Sequence, residues 1–365
     1  VDPAVAVAER VALVEPAVPA ARSPEFWQFL LAAELPPAKS RGLIEGFGSS
    51  ALSPSAYFRQ PGLLGEKELQ RIEAVRPDSL SKALAVGVQV VEERQYPCPL
   101  NQTINPPPAL FLQGDFGVLE APTIAIVGTR GASPYGKACA IKFAEAFARA
   151  GVTVVSGGAL GIDGAAHKAA LEAQGKTVAV LAGGIDMVYP AMHAGLFRQI
   201  RANGCLLSQF AVGSRPNPYK FLTRNGLIAA ASRAVVVIEC PERSGALNTA
   251  NTANEMGRPV FVVPANITSE TFRGSHALIR DGATLLDHPD QVLEVLGLES
   301  GPKKGLPKAT GLAAKILAQL TTTPLAPEFI AERTGEEMAT ILAELTMLEI
   351  EGRVEKEAGG FCCRI

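Results

Sequence analysis

Three apolar runs in the middle of the chain each stop at a glycine turn that opens a helical pattern. Thr123-Ile124-Ala125-Ile126-Val127 runs into Gly128-Thr129-Arg130. Val154-Val155-Ser156 runs into Gly157-Gly158-Ala159-Leu160-Gly161, and Val178-Ala179-Val180-Leu181-Ala182 into Gly183-Gly184. Apolar runs this short, without polar alternation, suit strands covered on both faces. Strand, glycine turn and helix in repetition close into a parallel α/β sheet that binds ligands at the carboxyl ends of its strands. Further strands are predicted at 88–91, 109–113, 205–208, 234–239, 259–263 and 283–286, with helices at about 135–150, 162–174, 192–203, 222–231, 246–256 and 289–297. The fold class is therefore α/β, an extended Rossmann-like, doubly wound parallel sheet over residues 106–298.

The flanks differ in kind. Residues 1–24 read as an Ala/Val/Pro-rich N-terminal tail, without the basic start and unbroken apolar core of a signal peptide. Residues 25–105 read as a small all-helical domain of SAM or helix-hairpin-helix type. Phe26, Trp27, Phe29, Leu30 and Leu31 recur at helical spacing, and Leu43 to Ser50 suggests a helix end, a glycine turn and a serine cap. Residues 299–310 form a Gly/Pro/Lys-rich linker. Residues 311–365 predict three helices and a terminal hairpin, the outline of a winged helix. Its third helix and the end of that helix carry Glu336, Glu337, Glu344, Glu349 and Glu351, with no Lys or Arg before Arg353. Carboxylates there oppose phosphates, so protein contact or a structural role ranks ahead of DNA binding.

Net charge of −2 over 365 residues excludes a uniformly basic surface; a nucleic-acid site must be a local patch. The six cysteines form no C-x-x-C pair and read as reduced core thiols, which fits a cytoplasmic location. No apolar run is long enough to span a membrane. No P-loop, H-E-x-x-H or G-x-S-x-G is present, so neither an enzyme, a metal site nor a cofactor is predicted.

Candidate binding residues cluster at the glycine turns. Gly128 lets backbone amides approach an anion at a helix start, and Arg130 adds a fork suited to phosphate. Ser156, Gly157 and Gly158 form a second such loop. Asp163 either caps the next helix or bonds Arg130. On that helix His167 reads as a core histidine, and Lys168 is either solvated or aimed at a ligand. Lys220, Phe221, Arg224 and Asn225 combine a stacking face with counter-charges, the minimal kit for single-stranded nucleic acid. Gly245, in Ser244-Gly245-Ala246, opens one more turn at the same sheet edge.

Together these stretches resemble the DNA-processing protein A family (DprA, also called Smf). The matching residues are Ile126 to Arg130, Ser156-Gly157-Gly158 through Gly161-Ile162-Asp163 to His167, Ala182 to Asp186 with Tyr189-Pro190, Phe221 with Arg224-Asn225, Ser244-Gly245 with Leu247 and Thr249, and Gly274 with Leu278-Ile279. The resemblance implies single-stranded DNA binding in natural transformation, protection of incoming strands and help in loading the RecA recombinase. It implies a DNA pocket of Arg130, Ser156, Gly157, Gly158, Lys168, Phe221, Arg224, Asn225 and Gly245, with Lys220 a looser match. It also implies a homodimer patch at His276, Ile279 and Leu285. The chain departs from the family pattern at Gln209, Gly226, Pro264-Ala265 and His276. The alternative reading is a nucleotide phosphoribohydrolase of the lysine-decarboxylase-like kind; a third is a partner hub for recombinase assembly.

Overall fold

A computed structural model of the chain describes residues 22–75, 77–103, 105–299, 309–321, 324–350, 353–357 and 359–363. Most of the predicted tail and linker (1–21 and 300–308), together with Glu351, lies outside the described residues. The chain divides into two compact units, Val1–Gly301 and Pro302–Ile365.

The first unit begins with α1 (Pro24–Ala33), α2 (Pro37–Gly48), α3 (Pro54–Phe58), α4 (Glu66–Glu73) and α5 (Pro77–Ala85). Ser23 starts α1 by accepting the Phe26 amide at 3.3 Å, with Pro24 in the first turn. Phe26 then stacks on Phe47 at 4.4 Å and packs on Phe58 at 5.3 Å. That stacking continues α2 through Gly46 to Gly48, so the glycine turn expected before Ser49 is helix instead.

These helices are no separate body. Phe26, Trp27 and Leu30 share one buried cluster with Phe111, Leu181 and Leu206 of the sheet region. Gln28 is buried and bonds Val212 twice, its amide NH₂ donating to the carbonyl at 3.0 Å and its oxygen accepting the amide N–H at 2.9 Å. Burying each large aromatic contributes about 1.5–3 kcal/mol.

The sheet strands are β1 (Gln89–Glu92), β2 (Ala109–Gly114), β3 (Thr123–Val127), β4 (Thr153–Ser156), β5 (Thr177–Val180), β6 (Cys205–Ser208), β7 (Ala234–Val237), β8 (Val260–Val262) and β9 (Thr284–Leu285). Their spatial order is β1-β2-β6-β5-β4-β3-β7-β8-β9. From β6 to β9 every pairing is parallel; β1 and β2 add an antiparallel edge. The sheet thus reaches into the stretch that the sequence assigns to the helical domain, because β1 pairs residue for residue with β2.

The helices between strands are α6 (Pro134–Arg149), α7 (Ile162–Glu172), α8 (Ala194–Asn203), α9 (Pro218–Ala230), α10 (Gly245–Glu255), α11 (Arg273–Arg280) and α12 (Pro289–Val295). Residues of α9 and α10 share a buried cluster with one set of strand residues, and those of α6, α7 and α12 with the other. The chain order reverses at β3, which lies between β4 and β7. In an open α/β sheet that is where a crevice opens at the strand ends.

His167 of α7 is fully buried, as expected of a core histidine. Thr177 Oγ1 donates to the Val154 carbonyl at 2.7 Å and accepts from His167 Nδ1 at 2.7 Å. Burial, then the nearby His193 and Arg224, pushes its pKa down to about 3. The unfolded chain therefore takes up a proton near pH 6.5 that the fold refuses. Stability is expected to fall as pH drops from about 6.5 towards 3, by up to roughly 1.4 kcal/mol per pH unit. Urea melts across that window check it; a His167→Gln variant should lose this part of the slope, and an unchanged slope would contradict it.

The second unit holds α13 (Gly311–Leu317), α14 (Pro327–Thr334), α15 (Met338–Ile350), β10 (Val354–Glu357) and β11 (Gly360–Cys363). Ile316, Ile330, Ile341, Leu345 and Phe361 form its core, and Leu325 bridges to Phe361 beside the hairpin. This is the winged helix that the sequence predicts. Among the described residues no helix is long and apolar enough to cross a membrane.

Candidate nucleic-acid interface

The crevice beside β3 is a cavity of about 300 Å³. Gly128, Thr129 and Arg130 line it from the loop after β3, and Arg243, Ser244 and Gly245 from the loop after β7. The third wall is the start of α9. Asn217 accepts the Lys220 amide at 2.9 Å and Pro218 fills the first turn, so α9 begins four residues ahead of the predicted 222. Phe221 consequently stands on the first turn, half-buried.

Three groups crowd the Phe221 ring. The Arg130 guanidinium lies 4.4 Å from its centroid and that of Arg224 5.6 Å. Tyr189 meets it at 5.7 Å and 62°, itself 51% exposed. Arg130 is exposed, and this contact orients it. Arg243 is exposed and its side chain has no hydrogen-bond or ion-pair partner among the described residues. Sequence reasoning missed Arg243 although it directly precedes Ser244-Gly245; Tyr189 stood in the matched stretches without a role.

Arg224 is not a surface cation. It is 4% exposed; Nη1 donates to the carbonyls of Gly157 and Val180, and Nε to Asn225 Oδ1 at 3.2 Å. A Cβ at Gly157 would collide with that guanidinium, which is why the loop needs glycine there. Burial lowers the Arg224 pKa to about 10 against the opposing pull of Asp163, and burial raises the Asp163 pKa against the pull of Arg224. Desolvation outweighs attraction for both groups.

Asp163 takes neither expected role. α7 starts at Gly161 without a side-chain cap, and Asp163 Oδ2 accepts the amides of Gly157 at 3.2 Å and Ala159 at 3.3 Å. At the start of α6, Glu239 Oε2 likewise accepts from the Ser133 amide at 2.9 Å and hydroxyl at 2.8 Å. Carboxylates of the chain itself thus occupy two of the amide clusters that the sequence offers to phosphate. Charge for an external anion comes from Arg130 and Arg243 instead.

Other expected contacts are committed within the fold, Asn225 and Gly245 among them while still lining the cavity. Ser156 is fully buried and donates to the Ile126 carbonyl at 2.6 Å. Gly158 packs against Phe197, and its carbonyl accepts from His193 at 2.9 Å. Lys168 points to solvent and faces Glu172 at 3.6 Å. Lys220 is 6% exposed and pairs with Glu34, the residue that caps the end of α1, at 2.9 Å, also bonding Ser214. It ties α9 to the helical domain and is no free counter-charge. Asn225 donates to the Gly245 carbonyl at 3.0 Å and so joins α9 to the start of α10.

Of the expected dimer residues, His276 lies 3.1 Å from the Ala265 carbonyl and Ile279 is half-buried on the core. Leu285 is 46% exposed on β9, the edge strand. No group of three or more His, Cys, Asp or Glu among the described residues could hold a metal ion.

Residues 87–297, more than half of the chain, match the family model described as DNA recombination-mediator protein A. Residues 300–360 match the DprA winged helix domain. A relative from Mycobacterium tuberculosis, named putative DNA processing protein DprA, is 43% identical over 244 residues; the match spans 64% of this chain and 62% of that protein. A solved DNA processing protein A from Streptococcus pneumoniae superposes with a TM-score of 0.64 at 29% identity, covering 75% of this chain and 98% of that one. One from Helicobacter pylori, described by its single-stranded DNA binding mode, gives 0.53 at 30% identity, covering 57% of this chain and 95% of that one.

Proposed function

Because this chain belongs to the DNA recombination-mediator protein A family, the DprA or Smf proteins, we propose that it binds single-stranded DNA in the cavity beside β3. The observation that carries this reading is the cluster of Arg130, Phe221 and Tyr189 at the point where strand order reverses, with Arg243 also lining the cavity. An aromatic platform flanked by arginines suits a base stacked beside its phosphates, with little preference for sequence. The Helicobacter pylori relative, described by its single-stranded DNA binding mode, supports the same ligand. By this reading the protein protects strands taken up in natural transformation and helps load RecA. It works in the cytoplasm as a binding protein, and a second copy pairs at the exposed Leu285 edge.

The nucleotide-hydrolase reading is weaker. Asp163 and Glu239 sit where a mononucleotide phosphate would use loop amides, and a second anion there would be repelled. Incubation with AMP is expected to release no ribose phosphate; release would overturn the binding-protein reading.

A gel shift with oligo-dT and its duplex, on the full chain and on a chain ending at Gly301, tests the main reading. Single strands should shift in both chains, duplex weakly, with affinity falling steeply as salt rises. Loss of the shift on truncation would move the site to the winged helix.

A further inference from the structure

A second, larger cleft of about 600 Å³ opens between α1, α4 and α5 on one side and the loops leading to α9 on the other. We infer that the bound single strand continues from the Phe221 cavity into this cleft, where Arg215 and Arg71 take its phosphates. The inference rests on the single-strand reading above and gives the helical domain a part in it.

The two places adjoin. Met187 lines the cleft and also the small recess bounded by Tyr189, Phe221 and Pro216. Pro216 follows Arg215 in the chain, so a strand leaving the Phe221 ring passes Met187 and meets Arg215. Ala159, Phe221 and Arg224 line both that recess and the Phe221 cavity, so the recess joins the cavity to the cleft.

The charges of the cleft are already partly settled. Glu34 is paired with the buried Lys220 at 2.9 Å. Asp186 Oδ1 accepts the Gly213 amide at 2.8 Å. Arg215 is exposed, and its side chain has no hydrogen-bond or ion-pair partner among the described residues. Arg71 donates to the Ala33 carbonyl at 3.1 Å and lies 4.0 Å from Glu34, with its side chain 47% exposed. Arg215 thus remains as an uncommitted cation and Arg71 as a half-committed one, and both have the fork geometry that suits phosphate.

The cleft is also preformed. The Gln28–Val212 bonds and the Lys220–Glu34 pair hold α1 against the loop that carries Arg215. A strand entering it need not order either wall, which lowers the cost of binding. Lys220 therefore has a use that differs from direct contact: it joins the two walls.

The test is fluorescence anisotropy of the full chain with labelled oligo-dT of about two nucleotides, which fill the Phe221 cavity alone, and of about sixteen, the upper end of single-strand site sizes. Arg71→Ala with Arg215→Ala should lower affinity for the longer strand roughly tenfold and reduce its log–log salt slope by about 1.4, two phosphates at about 0.7 each. The shorter strand should bind as before. Arg215→Ala alone breaks no side-chain bond and should give about half that change in slope, which keeps the test valid if the double variant unfolds. Equal losses at both lengths, or no loss at either, would overturn the inference and leave the Phe221 site standing. Failure of the unaltered protein to bind either strand would overturn both.

Discussion

Replacing Phe221 by alanine is expected to weaken oligo-dT binding by about 1–3 kcal/mol, roughly 5- to 150-fold, because it removes the stacking face. The half-buried ring sits at the cavity wall, so the fold should lose little. The salt slope should stay unchanged, since no phosphate contact is lost. Arg130→Ala should instead lower the slope by about 0.7. The two changes should not add. Arg130 lies 4.4 Å from the ring, and a double-mutant cycle should return a coupling of about 0.5–1 kcal/mol. Unaltered affinity in both single variants would remove the cavity from the binding site.

Arg224→Ala should act differently, as a folding defect. The sequence suggested a counter-charge for phosphate. The structure buries this guanidinium beneath the Gly157 loop. Truncation strips the Gly157 and Val180 carbonyls of their donor and leaves Asp163 without its counter-charge. The expected cost is roughly 3–5 kcal/mol, a fall in melting temperature on the order of 10 °C. Any binding lost should track the unfolded fraction. A variant that melts like the parent yet binds poorly would return Arg224 to the DNA surface.

The contrast between Phe221 and Arg224 marks the limit of one-dimensional reading. Both belong to α9, three residues apart, and both carry the right chemistry. Both line the cavity, yet Phe221 is half-buried on the first turn and Arg224 is buried one turn on, so how each is used depends on where the helix starts. Asn217 and Pro218 place that start, and helix boundaries are the least certain part of a sequence reading. Lys220 shows the same limit from the other side. Its partner, Glu34, lies at the end of α1, far away in the chain, and no local pattern announces the pair.

The sequence alone determined the parallel sheet, because short unalternating apolar runs ending in glycine turns have few other ways to be buried. It determined the winged helix, whose three helices and hairpin have a core made from their own spacing. It also located the edge proposed as the binding site, since the loops after β3 and β7 must meet where strand order reverses. Only the tertiary structure decided which charges at that edge are free. Asp163 and Glu239 turned inward to the amides, Arg224 and Lys220 were used as internal ties, and Arg130, Arg243 and Arg215 were left facing solvent. The physical reason is that a buried charge must find a partner, and partners are set by contacts across the fold, not by neighbours along the chain.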